Sequence, residues 1–499
     1  MMHKKKILGN ISSSLINRLV TIICGLILPR FLLLYYGSSV NGLVSSITQF
    51  LSFVSFMDMG IGAVVQSSLY KPLSVQNNNE ISRIMKSAHN FFSTISIIYV
   101  IYIIALCFVY PLIVNSGFEI VFTVVLILIL SITSLMQYYI GIVNQLLLNA
   151  DQKAYIPLNL NSITIVLNTI VSFILMSQGF GVHFVYLSTA IIYLARPIGM
   201  NLYVRKYYQI DNNVHLSDEP IQQKWNGIAQ HIAAMVLEHT DVAILTLLST
   251  LQNVSIYSVY YNVVSGIRRI FSTMVDSIRP TFGNIIAKNE REKLLYYYDL
   301  MEYIVHIAVA LFFACTLCLI VPFVQVYTIG VDDVNYYMPV FGAVITIAYA
   351  FYCLRGFYNM LIMAVGHYKQ TQNAAIIEAM INVVISTVMV NKYGLIGVSI
   401  GTLLAMFYRC VYLIWYLSKN IIYRPCIKAI THIIADVFEI ILCYVLCHRI
   451  SLVELSFTSW MVLAVKVFGL CSMVVIIMNM FIYSSQTKEL VRILKRRWK

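Results

Sequence analysis

Charged side chains are scarce in this sequence. Only 11% of its 499 residues are Asp, Glu, Lys or Arg, 60% are hydrophobic, and the mean hydropathy is +0.80. A soluble globular domain carries about 25% charged residues. The composition therefore excludes a soluble globular protein and predicts an all-α polytopic membrane protein.

The motifs of several enzyme classes are missing too. No Gly-x-x-x-x-Gly-Lys-Ser/Thr loop occurs, so the chain carries no ATPase site of its own. The longest connections between apolar stretches, near 204–226 and 326–336, are too short to hold a catalytic domain. We therefore expect no enzyme activity and no cofactor.

The ten cysteines form no ligand motif. Only Cys315-x-x-Cys318 and Cys443-x-x-x-Cys447 lie close together, and neither pair has His or Cys partners at zinc-finger spacing. Both pairs fall inside apolar stretches, where cysteine behaves as a small apolar residue. No metal site is expected.

Long hydrophobic stretches, by contrast, are numerous. Fourteen of them reach the length of about 20 residues that a helix needs to span a bilayer. They lie near residues 11–35, 40–66, 88–113, 118–143, 156–176, 181–203, 227–249, 253–278, 296–325, 337–363, 373–390, 394–418, 429–448 and 455–483.

Basic residues mark alternate connections between these stretches. The clusters begin with Lys4–Lys6 and end with the tail 484–499, whereas the opposite connections hold only Lys392 and Arg449. The positive-inside rule then places both termini in the cytoplasm. The formal net charge of +13 is thereby assigned to the inner membrane face and its anionic lipids, and no nucleic-acid partner is expected.

An internal repeat indicates the architecture. Asn144, Asn168 and Arg196 follow one another at steps of 24 and 28 residues, and Asn359, Asn382 and Arg409 follow at 23 and 27. Six stretches per copy predict two six-helix bundles related by a pseudo-twofold axis along the membrane normal, with two helices appended. The predicted segments are an N-terminal bundle 1–206, a cytoplasmic linker 207–226, a C-terminal bundle 227–418, helices thirteen and fourteen at 429–483, and a basic cytoplasmic tail 484–499.

Polar residues recur at helical spacing on the first, seventh and eighth stretches. Such stripes predict a water-filled cavity, which transporters of this architecture use to bind substrate. The alternative is that small and polar residues hold the helices together. The polar residues assigned to the cavity are Asn17, Thr21, Gln49, Tyr257, Tyr261 and Ser265.

Arginine dominates the charges within the stretches. An ionised side chain in lipid costs roughly 2.5–3.5 kcal/mol on insertion scales, which indicates function. The guanidinium fork suits phosphate oxygens, so the excess predicts an anion site. The anion-binding candidates are Arg18 and Arg268 first, then Arg269, Arg30, Arg355 and Arg409, set against the acids Asp58, Glu238, Asp241 and Glu378. Arg196 could belong to the buried arginines of the cavity or could snorkel to the inner interface.

Two further groups have alternative roles. Glu238 and Asp241, three residues apart, with His231 two turns earlier, could bind a proton or sodium ion or could neutralise arginines. Tyr257 and Tyr261 could stack on sugar rings or belong to an interfacial belt. A proton or sodium gradient is the expected energy source.

The sequence also resembles a known family. The residues that carry the resemblance are Leu28-Pro29-Arg30-Phe31, Tyr36-Gly37, Asn41-Gly42-Leu43, Asp58-x-Gly60, Gly366-x-x-Lys369, Asn382 and Gly394-x-x-Gly397. Together with the fourteen-stretch layout they are similar to the polysaccharide (lipid-linked oligosaccharide, O-antigen type) flippases of the multidrug/oligosaccharidyl-lipid/polysaccharide exporter superfamily. These motifs are structural, so they identify the superfamily better than the substrate.

The resemblance implies a multi-pass flippase of the bacterial cytoplasmic membrane. It would move an undecaprenyl-pyrophosphate-linked oligosaccharide from the inner to the outer leaflet by alternating access, in O-antigen, capsule or exopolysaccharide synthesis. Membrane lipids, a polysaccharide polymerase and glycosyltransferases are the implied partners. A cation-coupled multidrug exporter of the same superfamily is one alternative, disfavoured by the arginine excess. A non-transporting scaffold is another, disfavoured by the charged stripes.

Overall fold

The protein is mainly helical in the part of the chain that the computed structural model describes, which is residues 2–54, 61–114, 116–211, 214, 228–484, 486, 487, 489 and 492. The helices are α1 Met2–Ser52, α2 Ile61–Ser74, α3 Asn78–Ile113, α4 Ile120–Met136, α5 Ile142–Ala150, α6 Tyr155–Ser177, α7 Val182–Tyr207, α8 Ile228–Leu248, α9 Leu251–Ala287, α10 Arg291–Tyr327, α11 Pro339–Val365, α12 Tyr368–Leu417, α13 Ile427–Cys447 and α14 Phe457–Ile482. Short π-helical turns, Gln137–Gly141 and Ser418–Ile422, continue α4 and α12.

Within the described ranges, ten helices are long and apolar enough to cross a membrane, so the chain is a multi-pass membrane protein. Two of the ten, α1 and α12, contain a break at a glycine with positive φ, Gly37 (80°) and Gly394 (53°). Glycine adopts this backbone without the clash that a Cβ would cause. Both breaks fall at boundaries between predicted stretches. The total of fourteen spans and the cytoplasmic termini stay predictions.

Several helices extend beyond the apolar stretches that predicted them. Helix α3 begins at Asn78 rather than near 88, and α9 ends at Ala287 rather than near 278. The start of α3 is fixed by Asn77, whose side chain accepts a hydrogen bond from the Glu80 amide at 3.1 Å. Hydrophobicity marks only the part of a helix that suits lipid, so polar extensions escape it.

The chain divides into two compact units. Unit 1 is Met1–Ser255 and unit 2 is Ile256–Lys499. In unit 1, α8 packs on α1, where Thr246 Oγ1 donates to Ser46 Oγ at 2.8 Å. The core of unit 1 is apolar and includes the buried Phe92 and Tyr99. The predicted bundle boundaries at 206 and 227 stay predictions.

In unit 2, α10 packs against α11, α13 and α14. A second apolar cluster there contains Cys315, Cys443, Cys447 and Cys471, all buried free thiols. The sulfur atoms of Cys447 and Cys471 are 3.8 Å apart. These cysteines fill the core as small apolar side chains, in the manner that the sequence predicted.

The two copies of the internal repeat share a local arrangement. In unit 1, the buried Asn168 of α6 donates to the hydroxyl of Tyr193 on α7 at 3.3 Å. In unit 2, the buried Asn382 donates to the hydroxyl of Thr402 beyond the α12 break at 3.0 Å. Each asparagine thus links its helix to the next one along the chain, as polar groups commonly do between helices in membranes.

Candidate functional site

A group of arginines meets within unit 2. We call Arg268, Tyr352, Arg355, Glu378 and Arg409 the arginine cluster. Arg355 is ion-paired with Glu378, and Arg409 Nε lies 3.6 Å from the other carboxylate oxygen of Glu378. Three of the predicted anion-binding arginines therefore belong to one cluster.

One aromatic ring holds two of these guanidinium groups. Arg355 Cζ lies 4.4 Å and Arg268 Cζ 5.0 Å from the centre of the Tyr352 ring. A cation over an aromatic face is attracted by the ring quadrupole. Because Tyr352 and Arg355 are three residues apart on α11, they share one helical face.

Burial makes the charges of this cluster strong. The side chains of Arg355, Glu378 and Arg409 are 13%, 7% and 4% exposed. Arg409 also donates to the carbonyl of Thr371 at 3.0 Å. Among its ionisable groups the cluster holds three guanidinium groups and one carboxylate, and little water screens them. Such a group attracts an anion, and its forks match phosphate oxygens.

A row of tyrosines leads along α9 and α11 to the cluster. The rings of Tyr257 and Tyr261 stack at 5.7 Å and 17°. Tyr261 then contacts Tyr349 at 5.8 Å, and Tyr349 contacts Tyr352 at 5.8 Å. This row of ring contacts joins two predicted cavity residues to the arginine cluster; Tyr257 and Tyr349 are buried, and Tyr261 and Tyr352 are half-buried. Aromatic faces of this kind stack on apolar ligand faces.

Other predicted residues lie elsewhere. Arg18 of α1 and Arg269 of α9 are exposed, and Arg30 is half-buried. Ser265 of α9 is buried, and its hydroxyl donates to the Asn262 carbonyl at 3.1 Å.

Part of the polar face of α1 packs against α6. The buried Asn17 of α1 donates to the Leu158 carbonyl at 3.1 Å and to Ser162 Oγ at 3.0 Å on α6. Thr21 donates to the Asn17 carbonyl within its own helix at 2.7 Å. For Asn17 the geometry favours the interpretation that polar residues hold helices together.

The predicted ion-coupling residues lie on α8. Asp241 is buried and Glu238 is half-buried in unit 1. Gln49, a predicted cavity residue, bonds to the His239 ring and to the Glu238 carbonyl at 3.4 Å. The side chain of His231 and all of Asp58 lie outside the described residues. In the described part of the chain, no group of three His, Cys, Asp or Glu could hold a metal ion.

The sequence interpretation overlooked a second charged group in unit 2. Arg424, assigned to a basic connection, is ion-paired with Asp299 and with Glu302 at 2.5 Å. Burial lowers the pKa of the Arg424 guanidinium, but Glu302, Tyr298 and Asp299 together outweigh burial and raise it above the ordinary value. Glu302 lies inside the ninth predicted stretch and is fully buried, so the tally of acids set against the arginines was wrong. A carboxylate within an apolar stretch was the sequence signal that could have identified Glu302.

A polar pocket of about 580 Å³ lies in unit 1. Helices α3, α5 and α7 and the π-helical turn before α5 contribute to its wall, and π-turns often occur at functional sites. Its polar lining residues are Ser82, Lys86, His89, Asn90, Tyr139, Asn144, Asn201, Arg205 and Tyr208. Amides and two cations make it a second place for a polar or anionic group.

Comparison with known proteins bears on the fold. No protein-family model and no curated protein sequence matches this chain. Among solved structures, a lipid II flippase, MurJ, in an inward closed conformation is 15% identical with a TM-score of 0.73, covering 97% of this chain and 100% of that one. An inward-facing multidrug resistance MATE family transporter of the MOP superfamily is 13% identical with a TM-score of 0.57, covering 82% and 98%.

A eukaryotic MATE transporter is 10% identical with a TM-score of 0.54, covering 83% of this chain and 97% of that one. At such identities the similarity establishes the fold alone, and this chain has the fold of MOP-superfamily transporters. These proteins are named as transporters and flippases.

Proposed function

We propose that this chain is a flippase for a lipid-linked oligosaccharide that carries an anionic phosphate or pyrophosphate group. The observation that carries the proposal is the arginine cluster in the apolar helices of unit 2. Two of its guanidinium groups contact the Glu378 carboxylate, and the third, that of Arg268, lies over the Tyr352 ring. A cationic site in a membrane-spanning fold suits a lipid head group with phosphate oxygens. The fold shared with a lipid II flippase adds support.

In this mechanism, Arg268, Arg355 and Arg409 hold the phosphate oxygens. The tyrosine row that ends at Tyr352 supplies faces on which the first sugars stack. The lipid tail stays in the bilayer, and alternating access exposes the head group first to one side and then to the other. The arginines must bind reversibly, and Glu378 moderates their attraction because it already neutralises part of their charge.

The finer form of the proposal follows the sequence. The substrate is an undecaprenyl-pyrophosphate-linked oligosaccharide, moved from the inner to the outer leaflet of the bacterial cytoplasmic membrane during O-antigen, capsule or exopolysaccharide synthesis. A polysaccharide polymerase and glycosyltransferases are its proposed partners. A proton or sodium gradient acting on Glu238 and Asp241 of α8 is the proposed energy source, and Glu238→Gln with Asp241→Asn should abolish the gradient dependence.

The multidrug exporter is the second candidate because two of the similar folds belong to MATE transporters. Such a protein would extrude soluble organic cations. The surplus of guanidinium groups in the arginine cluster repels cations, so this candidate ranks lower.

The test is a flipping assay in proteoliposomes. An undecaprenyl-pyrophosphate oligosaccharide is placed in one leaflet, and a lectin reports its arrival in the other. We expect Arg268→Ala to slow transfer at least 10-fold and Arg268→Lys to slow it less, because lysine keeps the charge but loses the fork. The matched control is Lys466→Ala, an exposed cation on α14.

Two outcomes would contradict the proposal. Equal transfer by wild type and Arg268→Ala would remove the arginine cluster from the mechanism. Uptake of a cationic dye by wild type, without lipid transfer, would replace the flippase with the exporter.

A further inference from the structure

A chain of buried ionisable groups connects α10, α11 and α13 in unit 2. We call Glu302, His306, Tyr358 and Asp436 the histidine network. His306 Nδ1 lies 2.5 Å from Asp436 Oδ2, and His306 Nε2 lies 2.9 Å from the Tyr358 hydroxyl. That hydroxyl is also 3.2 Å from Glu302 Oε1. All four side chains are buried, so their hydrogen bonds decide their protonation.

The network needs a definite number of protons. Its three contacts join four groups, and each contact requires one proton between its two atoms. With both carboxyl groups ionised, Tyr358 supplies one proton and a neutral His306 supplies a second. The third contact remains without a proton unless one more is bound.

Other donors do not remove this requirement. The Tyr298 hydroxyl donates to Glu302 Oε1 at 2.9 Å, and Arg424 donates to Glu302 Oε2 at 2.5 Å. Both oxygens of Glu302 act as acceptors in these contacts, and Glu302 Oε1 accepts from Tyr358 as well. The Tyr358 proton is therefore committed to Glu302, and His306 must donate from both ring nitrogens if Asp436 is ionised.

We infer that the histidine network is a proton-binding site that holds one exchangeable proton, shared by His306 and Asp436. With that proton, His306, Arg424 and the carboxylates of Asp299, Glu302 and Asp436 carry a net charge of −1. Without it, the same groups carry −2 and one buried contact is lost, so both charge and hydrogen bonding favour the filled state.

The surroundings contain further titratable groups on each packed element. A second imidazole, His432 of α13, stacks on His306 at 5.0 Å and 29°. The other ionisable groups near the network are Tyr298, Asp299 and Tyr303 of α10, Cys353 of α11, Cys410 of α12, Arg424 and Lys428 before and within α13, Glu439 of α13, and Tyr483 after α14. Since His432 stacks face to face with His306, two charged imidazoles there would repel each other.

The geometry also gives the proton an effect on the arginine cluster. The ion pairs beside the network reach the surface of the unit, because Arg424 contacts both Glu302 and Asp299, whose carboxylate is 46% exposed. Tyr358 lies three residues after Arg355 of the arginine cluster, on the same face of α11. Loss of the proton frees the Tyr358 hydroxyl from one of its two partners. This coupling of proton and anion sites rests on the proposed function, whereas proton binding does not.

The direct test measures protonation in the full-length protein in detergent, labelled with ¹⁵N-histidine. At pH 8, exposed histidines are neutral because their ordinary pKa is about 6.5. Nitrogen NMR then reports any remaining imidazolium, and infrared difference spectra report a protonated carboxyl group. We expect one such signal in wild type, lost in both His306→Gln and Asp436→Asn and retained in His448→Gln, an exposed control on the chain after α13.

A purely structural role would leave His306 neutral in wild type and unchanged in Asp436→Asn. That result, with no protonated carboxyl band, would overturn the inference. If His306→Gln cannot be purified, Tyr358→Phe serves instead. It removes two of the three contacts together with the hydroxyl proton. A neutral His306 then satisfies the remaining contact to Asp436, so the signal should weaken while the histidine remains.

The coupling is tested separately by flipping assays with and without an imposed proton gradient. We expect the ratio of the two rates to exceed 3 in wild type and to be at least halved in Asp436→Asn, which keeps Glu238 and Asp241 of α8. A wild-type ratio of 1 would refute the coupling alone. No flipping at all would refute the proposed function and leave the NMR result intact.

Discussion

The arginine of the internal repeat has a different hydrogen-bonding or ion-pair partner in each of the two units. In unit 1, Arg196 of α7 reaches back to α6 and donates to Thr164 Oγ1 at 2.6 Å. In unit 2, Arg409 reaches back across the α12 break to Glu378 at 3.6 Å. Thr164 lies four residues before the repeat asparagine of unit 1, and Glu378 lies four residues before that of unit 2. One arginine has a neutral partner and the other a carboxylate.

The difference teaches where this protein concentrates its charge. Among the charged residues that the structure describes in unit 1, Asp241 alone is buried. Arg196 stacks on Tyr193 at 3.7 Å, and its buried Nη2 has no hydrogen-bond partner in the described chain. The buried charged residues of unit 2 are Glu302, Glu378, Arg409, Asp436 and Glu439. A carboxylate at the repeat position lets unit 2 hold a second arginine, Arg355, beside the first.

The largest expected effect comes from erasing this difference in unit 2. Glu378→Thr gives unit 2 the neutral residue of unit 1 and leaves Arg355 and Arg409 without the carboxylate that both contact. Removing one partner of a buried ion pair costs about 3–5 kcal/mol. We expect the free energy of unfolding to fall by that amount, measured by denaturant titration in detergent.

Glu378→Gln is the matched control, since it keeps the shape and one hydrogen-bond acceptor. It should cost less than Glu378→Thr. Equal free energies of unfolding for Glu378→Thr and wild type would mean that other groups stabilise the buried arginines. The different partners of the repeat arginines would then make no difference to stability.

Much of the architecture could be predicted because it depends on local sequence. Apolar length located the helices, and the breaks at Gly37 and Gly394 fall where apolar stretches were expected to end. Arginine in an apolar stretch is costly wherever it lies, so Arg355 and Arg409 were identifiable from composition alone.

The partners of these arginines were less predictable. His306 and Asp436 are 130 residues apart, and Arg424 and Glu302 are 122 apart, so only the packing of α10 against α13 reveals these pairs. Asn17 shows why the role of a polar stripe is hard to predict, because such a stripe has the same pattern whether it faces water or a neighbouring helix. Helical periodicity fixes a face but not what covers it.

The helices that carry the repeat residues also differ in how tightly they pack at their glycines. A Cβ on Gly401 would lie 2.2 Å from Ser386 Oγ and 2.7 Å from the Ser386 amide nitrogen. A Cβ on Gly199 of α7 would lie 3.2 Å from flexible Leu160 side-chain carbons. We expect Gly401→Ala to lower the free energy of unfolding by about 1–3 kcal/mol through overpacking.

Gly199→Ala should change stability little, because the helix propensity of alanine, worth up to about 1 kcal/mol, offsets a small shift of Leu160. Gly25→Ala, which faces open space in α1, is the control for propensity alone. The measurement is the thermal midpoint of Gly401→Ala, Gly199→Ala and Gly25→Ala in the same detergent. A larger loss for Gly199→Ala than for Gly401→Ala would contradict the difference in closeness.

The reverse exchange adds charge to unit 1. Thr164→Glu places a carboxylate beside Arg196, whose Nη2 has no acceptor in the described chain. A hydrogen bond to a charged group contributes about 1.5–3 kcal/mol, and the burial of a carboxylate offsets part of it. We expect a net gain of about 1 kcal/mol, measured as a rise in the thermal midpoint. A loss that Arg196→Met restores would mean that unit 1 cannot accommodate the ion pair.

The smallest effect is expected at an end of unit 1, outside the spans. Burial and the neighbouring Asp151, which accepts the Tyr208 proton at 2.5 Å, raise the pKa of Tyr208 above its ordinary value of 10. The folded chain therefore keeps this proton at a pH where the unfolded chain has lost it. The stability that Tyr208 contributes is complete below pH 10 and is lost as the pH rises through the higher folded pKa.

Tyr208→Phe removes this one titration and leaves the other tyrosines in place. Between pH 9 and pH 11 the thermal midpoint of wild type should fall slightly more than that of Tyr208→Phe. Parallel curves would mean that Tyr208 and Asp151 separate before unfolding. In that case the charged groups at the ends of unit 1 would contribute little to its stability, and the contrast with the buried charges of unit 2 would become sharper.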